Sequence, residues 1–297
     1  MRLIFRLLSF IVSVLIIGLV ALLVFLGLWD QKKEDLPVIA QEEGNINNSI
    51  EDELLFLLVG VDDTGEDSPK RTDTLMVFRV QFDKGRITAL SIPRDTRCPV
   101  EGNYDKVNHA YAYGGIELTM QTLRDYLGLD LDYYMVVDYK TVTAMIDAGG
   151  GVDYAVPEDL VPLDWEVFRA GKQHMDGEKA LSFLRHRNSY PEGDLGRVVA
   201  QQAFIKEAMG QIFALKNFYR YPFILYAFTE NAKTNIKALP LISQILSISR
   251  FKFDEIGWNT LPGQGEYIDG ISYYRPDEER LPIIMEELFS PYLLNRE

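Results

Sequence analysis

The sequence predicts an α/β fold: helices sandwiching a mixed β-sheet. Residues 54–61 (LLFLLVGV) form a short apolar run with the pattern of a buried strand. Residues 74–82 and 86–92 repeat that character and are joined by Asp83-Lys84-Gly85, a turn signal. Further on, helical patterns alternate with short strand-like runs, the alternation of α/β proteins.

The chain has 297 residues, enough for one large domain or two small ones. Residues 7–29 are uncharged and rich in Leu, Ile, Val and Phe, long enough to cross a bilayer core of about 30 Å as a helix. Arg2 and Arg6 precede the run and Asp30 follows it, so residues 1–6 are read as a cytoplasmic tail and the rest as extracellular. No small-x-small cleavage site follows, which favours an anchor over a cleaved signal peptide. Residues 30–50 are polar and read as a linker, leaving 51–297 as the extracellular domain.

In order, a polar loop over 64–70 follows the first strand. A helix is predicted over 115–126, a strand over 133–137, and a helix over 140–148 closed by Gly149-Gly150-Gly151. These glycines lack GxGxxG spacing and are not read as a dinucleotide loop. A strand over 152–156 follows. Asp176-Gly177 then leads into a helical stretch over 178–184, and a longer helix runs from Asp194 to about 216. Residues 219–229 and 239–249 are helical in pattern, closing the core or lining an apolar slot. A late strand pair is expected over 255–261 and 268–274, and an amphipathic helix over 276–289. No internal repeat is evident.

The stretch 183–202 (FLRHRNSYPEGDLGRVVAQQ) gathers Arg185, Arg187, Asp194, Arg197 and Gln201. Acidic residues outnumber basic ones 44 to 30, for a formal charge of −14, so a local arginine cluster stands out. Arginine forks grip phosphate oxygens in pairs, and the cluster reads as a phosphate or pyrophosphate site. An extended 183–187 would put Arg185 and Arg187 on one side and His186 on the other. Asp194 is a good N-cap, and the helix start adds a favourable dipole. A surface network in which Asp194 and Glu192 neutralise the arginines is the alternative.

Charged residues also mark the predicted strand ends: Asp62 and Asp63, Arg71 and Asp73, Arg94 and Asp95. Open α/β sheets place ligands there. Lys106 could reach an anion, His109 is read as structural, and Tyr111 and Tyr113 as packing residues. Cys98 is the only cysteine, which excludes an internal disulfide and a cysteine zinc site. GxxxxGK[ST], HExxH and GxSxG motifs are absent, and the histidines have no metal spacing. A hard cation such as magnesium, held by carboxylates and phosphate oxygens, is compatible with the composition. The acidic balance argues against nucleic-acid binding.

Arg71-Thr72-Asp73-Thr74, Ser91-Ile92-Pro93-Arg94-Asp95-Thr96, residues 106–115 (KVNHAYAYGG), Arg185-His186-Arg187 and Asp194-Leu195-Gly196-Arg197 occur in the order seen in the LytR-CpsA-Psr family, which the chain resembles over 54–212. The resemblance implies an α/β/α sandwich on the outer face of a bacterial plasma membrane, single-pass with its N-terminus inside. It implies a transferase that moves an anionic glycopolymer (teichoic acid, capsule or another wall polysaccharide) from a polyprenyl-pyrophosphate carrier to peptidoglycan. Carried onto this sequence, Arg94, Arg185, Arg187 and Gln201 would grip the pyrophosphate, with Lys106 and Arg197 nearby. Asp73, with Asp62 or Asp63, would hold magnesium or manganese, and Asp194 would orient Arg197. The lipid would occupy an apolar tunnel. Rival expectations are a wall-polymer binding module without chemistry, a pyrophosphatase using water as acceptor, and a membrane-bound transcription regulator.

Overall fold

The computed structural model describes residues 52–61, 72–157, 159–160, 168–186, 194–237, 244 and 250–294. The expected membrane helix, linker and helix over 239–249 fall largely or wholly outside these residues. Among the described residues, no helix is long and apolar enough to cross a membrane.

The central sheet has six strands: β1 (Glu53–Val61), β2 (Thr72–Gln81), β3 (Arg86–Ser91), β6 (Tyr133–Val137), β9 (Lys233–Thr234) and β10 (Gly257–Thr260). Their order is β10-β3-β2-β1-β6-β9. β1 pairs antiparallel with β2 and parallel with β6, so the sheet is mixed. β1 is covered on both faces because other elements pack against each side of the sheet. Leu55, Leu57, Val59 and Val61 enter one core with Val107, Leu123, Leu127 and Phe289. Phe56 and Leu58 point the other way, packing with Phe78, Met209 and Phe253. The period of two in this run thus feeds two cores, with helices on both sides.

On the first face lie α1 (Val107–Leu127) and α6 (Leu281–Phe289). The other side carries α2 (Tyr139–Gly149), α3 (Gly177–Arg185), α4 (Asp194–Ile212) and α5 (Tyr221–Asn231), the last preceded by a 3₁₀ turn, Leu215–Arg220. Phe183 of α3 and Phe204 of α4 meet Tyr154 there, with ring centroids 5.1 and 5.2 Å from the tyrosine.

Several expectations are corrected. α1 begins at Val107, earlier than 115, and is broken at Gly114 and Gly115, the latter at φ 64° and ψ −150°. The predicted strand over 152–156 exists as β7 (Val152–Val156), but it pairs with β8 (Gly171–Met175) in a separate hairpin. The late strand pair is instead β11 (Gly263–Ile268) with β12 (Ile271–Pro276), while β10 joins β3 in the main sheet. Their turn places Asp269 at φ 50° and Gly270 at φ 80°, the left-handed pair a tight hairpin needs. A hairpin of β4 (Arg97–Val100) and β5 (Asn103–Lys106) has no counterpart among the sequence expectations.

Candidate active site

One end of the main sheet gathers Asp73, Arg94 and Lys106 of the predicted residues. Gly60 of β1 lies across from Thr74 and from Val137, and Met76 lies across from Ser91. The C-terminal ends of β1, β3 and β6 and the N-terminal end of β2 therefore meet at one edge. Asp73 is the second residue of β2, and Arg94 follows β3 by a tight turn. Thr96 closes that turn: its N–H and its hydroxyl both donate to the Pro93 carbonyl, at 2.9 and 2.6 Å. The N–H groups of Val107 and Asn108 donate to the carbonyls of Thr96 and Arg94, tying the turn to the start of α1.

Held this way, Arg94 Nη1 donates to Asp73 Oδ1 at 2.5 Å, and Arg94 Nε lies 3.7 Å from Asp95 Oδ2. Asp95 Oδ1 in turn lies 2.8 Å from Lys106 Nζ. The structure joins Arg94, Asp73, Asp95 and Lys106 in one chain of alternating charge. Sequence reasoning had set Arg94 against phosphate and Asp73 against a metal; here they neutralise one another. The β11–β12 hairpin braces the cluster. Lys106 Nζ sits 5.6 Å from the centroid of the Tyr273 ring, and the Tyr274 N–H donates to the Asp95 carbonyl at 2.8 Å.

Asp105 organises the neighbouring turn. It accepts from the Lys106 N–H at 2.7 Å and the Tyr113 hydroxyl at 2.8 Å, and lies 2.9 Å from His109 Nδ1. Partial burial pushes its carboxyl up, but these hydrogen bonds outweigh burial and hold it below the ordinary value. His109 is thus a brace on Asp105, as read. Tyr111 packs against the core, but Tyr113 is exposed, its hydroxyl serving Asp105.

Arg185 comes from the other side of the fold. Asp176 caps α3 by accepting from the Lys179 N–H, and Ala180 and Phe183 bury one face. The helix continues through Arg185, so residues 183–185 are not extended as the alternation argument assumed. A short helix with a buried Phe183 outcompetes the strand-like reading, and only His186, at ψ 125°, leaves it. His186 turns inward and is buried beside Phe168. The Arg185 guanidinium lies 4.7 Å above the Tyr139 ring. Tyr139 opens α2, two residues after β6 ends at Val137. β2 and β6 are two strand spacings apart, so the Asp73 and Tyr139 ends are separated by about 10 Å in the sheet direction. Gln201, expected on the pyrophosphate, donates its amide to the Leu184 carbonyl at 2.8 Å. It ties α4 to the end of α3.

Asp62, Asp63, Arg71 and Arg187 lie outside the described residues, as do the side chains of Asp194 and Arg197. α4 begins at Asp194, which is therefore the first residue of the helix rather than the cap before it. Among the described residues no group of three or more His, Cys, Asp or Glu could hold a metal ion. Asp73 offers one part-exposed carboxylate, a fitting donor for an ion that keeps waters and takes most ligands from phosphate. Tyr139, Tyr273 and the pairing role of Asp95 were missed. The signal available was position: Tyr139 directly follows a strand terminus at the ligand-bearing edge.

The LytR_cpsA_psr family matches residues 29–290. This chain belongs to that family. A relative in Enterococcus faecalis, named polyisoprenyl-teichoic acid–peptidoglycan teichoic acid transferase TagU, is 32% identical over 262 residues, covering 87% of this chain and 86% of the relative. Among solved structures, Bacillus subtilis TagV superposes with a TM-score of 0.72 at 27% identity, over 83% of this chain and 99% of the other. A structure of TagT bound to LIIa-WTA gives a TM-score of 0.70 at 23% identity, over 86% and 97%, and speaks to the fold. The LytR_cpsA_psr chain thus shares its central mixed sheet with solved members, and the sequence resemblance is confirmed at family level.

Proposed function

We propose that this protein is a transferase that moves an anionic wall glycopolymer of the teichoic acid class from a polyprenyl-pyrophosphate carrier to peptidoglycan. The observation that carries the reading is the Asp73–Arg94–Asp95–Lys106 charge chain at the ligand-bearing edge of the sheet, in a chain 32% identical to a named teichoic acid transferase. Arg94 pairs with Asp73 and Lys106 with Asp95. The pyrophosphate takes over Arg94 and Lys106, while Arg185, Arg187 and Arg197 complete the grip. Charge-assisted, two-pronged contacts to phosphate favour that exchange over a part-exposed ion pair.

Release of Arg94 leaves the Asp73 carboxylate available. Asp73, with Asp62 or Asp63, would hold magnesium or manganese, which supplies charge neutralisation on the phosphate oxygens. A peptidoglycan sugar hydroxyl attacks the sugar-linked phosphorus. A P–O bond forms to the acceptor, the pyrophosphate P–O bond breaks, and polyprenyl phosphate leaves. Asp73 or Asp62 accepts the hydroxyl proton. Little else is required, since phosphoryl transfer depends on positioning and charge stabilisation. Residues 7–29 anchor the chain in the plasma membrane with the domain outside, where both substrates meet.

The test incubates the full chain with a polyprenyl-pyrophosphate-linked teichoic acid precursor, magnesium and peptidoglycan fragments, and reads products by mass spectrometry. A phosphodiester conjugate, lost on chelation, is the expected product. Phosphorylated glycan without conjugate would identify a pyrophosphatase, and unchanged donor would reject the enzyme.

A further inference from the structure

The 3₁₀ turn Leu215–Arg220 and helix α5 expose an unusual set of side chains. Phe218, Tyr219, Phe223 and Tyr226 are 67%, 55%, 65% and 55% exposed. α5 is two-sided: Ile224 and Ala227 are buried, while Phe223 and Tyr226 face outward. Beside this aromatic face runs a groove of about 860 Å³, lined by Lys172, His174, Lys206, Lys216 and Arg220 together with Asp153 and Glu207. Asp153 is already engaged, lying 3.4 Å from Lys172 Nζ and 2.9 Å from His174 Nδ1. Glu207 accepts from Gln211. Among the described residues, Lys206, Lys216 and Arg220 have no carboxylate within ion-pair distance. In a chain of net charge −14, this is a local positive surface edged by four aromatic rings.

Its place in the fold is definite. The Arg220 guanidinium packs so closely on Gly150, the left-handed C-cap of α2, that a Cβ there would collide with it. α2 starts at Tyr139, beneath Arg185. With 11 residues, α2 separates the groove from the arginine site by about 16 Å. The groove is therefore no part of the site described above.

We propose that this face docks on an anionic bilayer, the rings of Phe218, Tyr219 and Phe223 entering the headgroup boundary and the groove cations meeting lipid phosphates. Aromatic side chains favour that boundary, and basic residues beside them select anionic lipid. Charge complementarity decides for an anionic bilayer over a second copy, because a two-fold contact would set this basic patch against itself. The proposal rests on the membrane-anchored reading. A polar linker over 30–50 has a root-mean-square span of about 25 Å, which keeps the domain at high effective concentration near the anchor, so weak docking contacts suffice. Docking would fix the domain's tilt and keep the Arg94–Arg185 edge at a set height over the membrane.

The test reconstitutes the full chain in vesicles of phosphatidylglycerol and phosphatidylcholine carrying brominated acyl chains. Phe223→Trp is compared with Ile283→Trp, which lies on α6 across the sheet and is 64% exposed in the native protein. Subtracting the wild-type emission isolates each added tryptophan. The expected result is loss of most Phe223→Trp emission with Ile283→Trp unquenched. Phosphatidylcholine vesicles, or Lys216→Glu with Arg220→Glu, should restore the emission. Equal emission from the two tryptophans overturns the proposal, as does a blue-shifted but unquenched Phe223→Trp, which would mark a protein partner or second copy. An alkaline wash reads the anchor separately: protein that resists extraction but shows no quenching refutes docking while leaving the anchor intact.

Discussion

Arg94 and Asp73 lie 2.5 Å apart with side chains 32% and 30% exposed, a pairing neither sealed from water nor fully bathed in it. Such pairs contribute modestly and can be exchanged for a better partner. This predicts a split between two substitutions. Arg94→Ala should weaken donor binding, whereas Asp73→Asn should leave it equal or tighter while lowering the transfer rate by about 10²-fold or more. Binding and turnover measured on the same variants check this. Tyr139→Leu removes the ring under Arg185 and should weaken the donor by about five-fold, the scale of one cation–π contact of ~1 kcal/mol. Titration with a labelled donor reads that effect. The residues themselves were legible because arginines and carboxylates clustered at strand ends stand out in an acidic chain. Their mutual pairing was not, since Asp73 and Arg94 are joined only by the register of β2 on β3.

Elements with strong local signals matched the sequence. β6 and β7 occupy the predicted residues, and the Asp83-Lys84-Gly85 turn joins β2 to β3 with Gly85 at φ 58°. What failed was partnership. Nothing in Val152–Val156 tells that it pairs with Gly171–Met175 outside the main sheet, because pairing depends on a distant segment. The break in α1 was also hidden: Gly115 read as a helix start, but with Gly114 it joins two helical pieces. Gly115 has φ 64° and ψ −150°, a region nearly closed to other residues, yet a Cβ there would meet nothing within 4 Å. Gly115→Ala should therefore lower stability by about 1–3 kcal/mol through backbone strain alone. Chemical denaturation measures it, and an unchanged midpoint would mean the backbone relaxes at no cost.

At the scale of the whole molecule, acid sensitivity follows from His186. Burial pushes its imidazole below the ordinary 6.5, so the folded chain keeps it neutral while the unfolded chain takes up a proton. Its contribution is complete above pH 6.5 and is lost as pH falls through the depressed folded value. Thermal unfolding followed from neutral to mildly acidic pH should show a falling midpoint, and His186→Leu should flatten that slope.

The two proposed sites lie at opposite ends of α2. The sheet edge carries Asp73, Arg94 and Lys106, with Arg185 brought alongside by α3, while the far end of α2 carries the basic groove. The central claim is that the first end grips a pyrophosphate. Its most direct test is equilibrium binding of a fluorescent polyprenyl-pyrophosphate saccharide to the full chain in detergent. Arg94→Ala and Arg185→Ala would be compared with Arg169→Ala, whose side chain is 75% exposed near the β7–β8 hairpin. The account predicts at least about ten-fold weaker binding for the first two, the loss of one charge-assisted phosphate contact each, and wild-type binding for the third. Wild-type affinity in all three would contradict it.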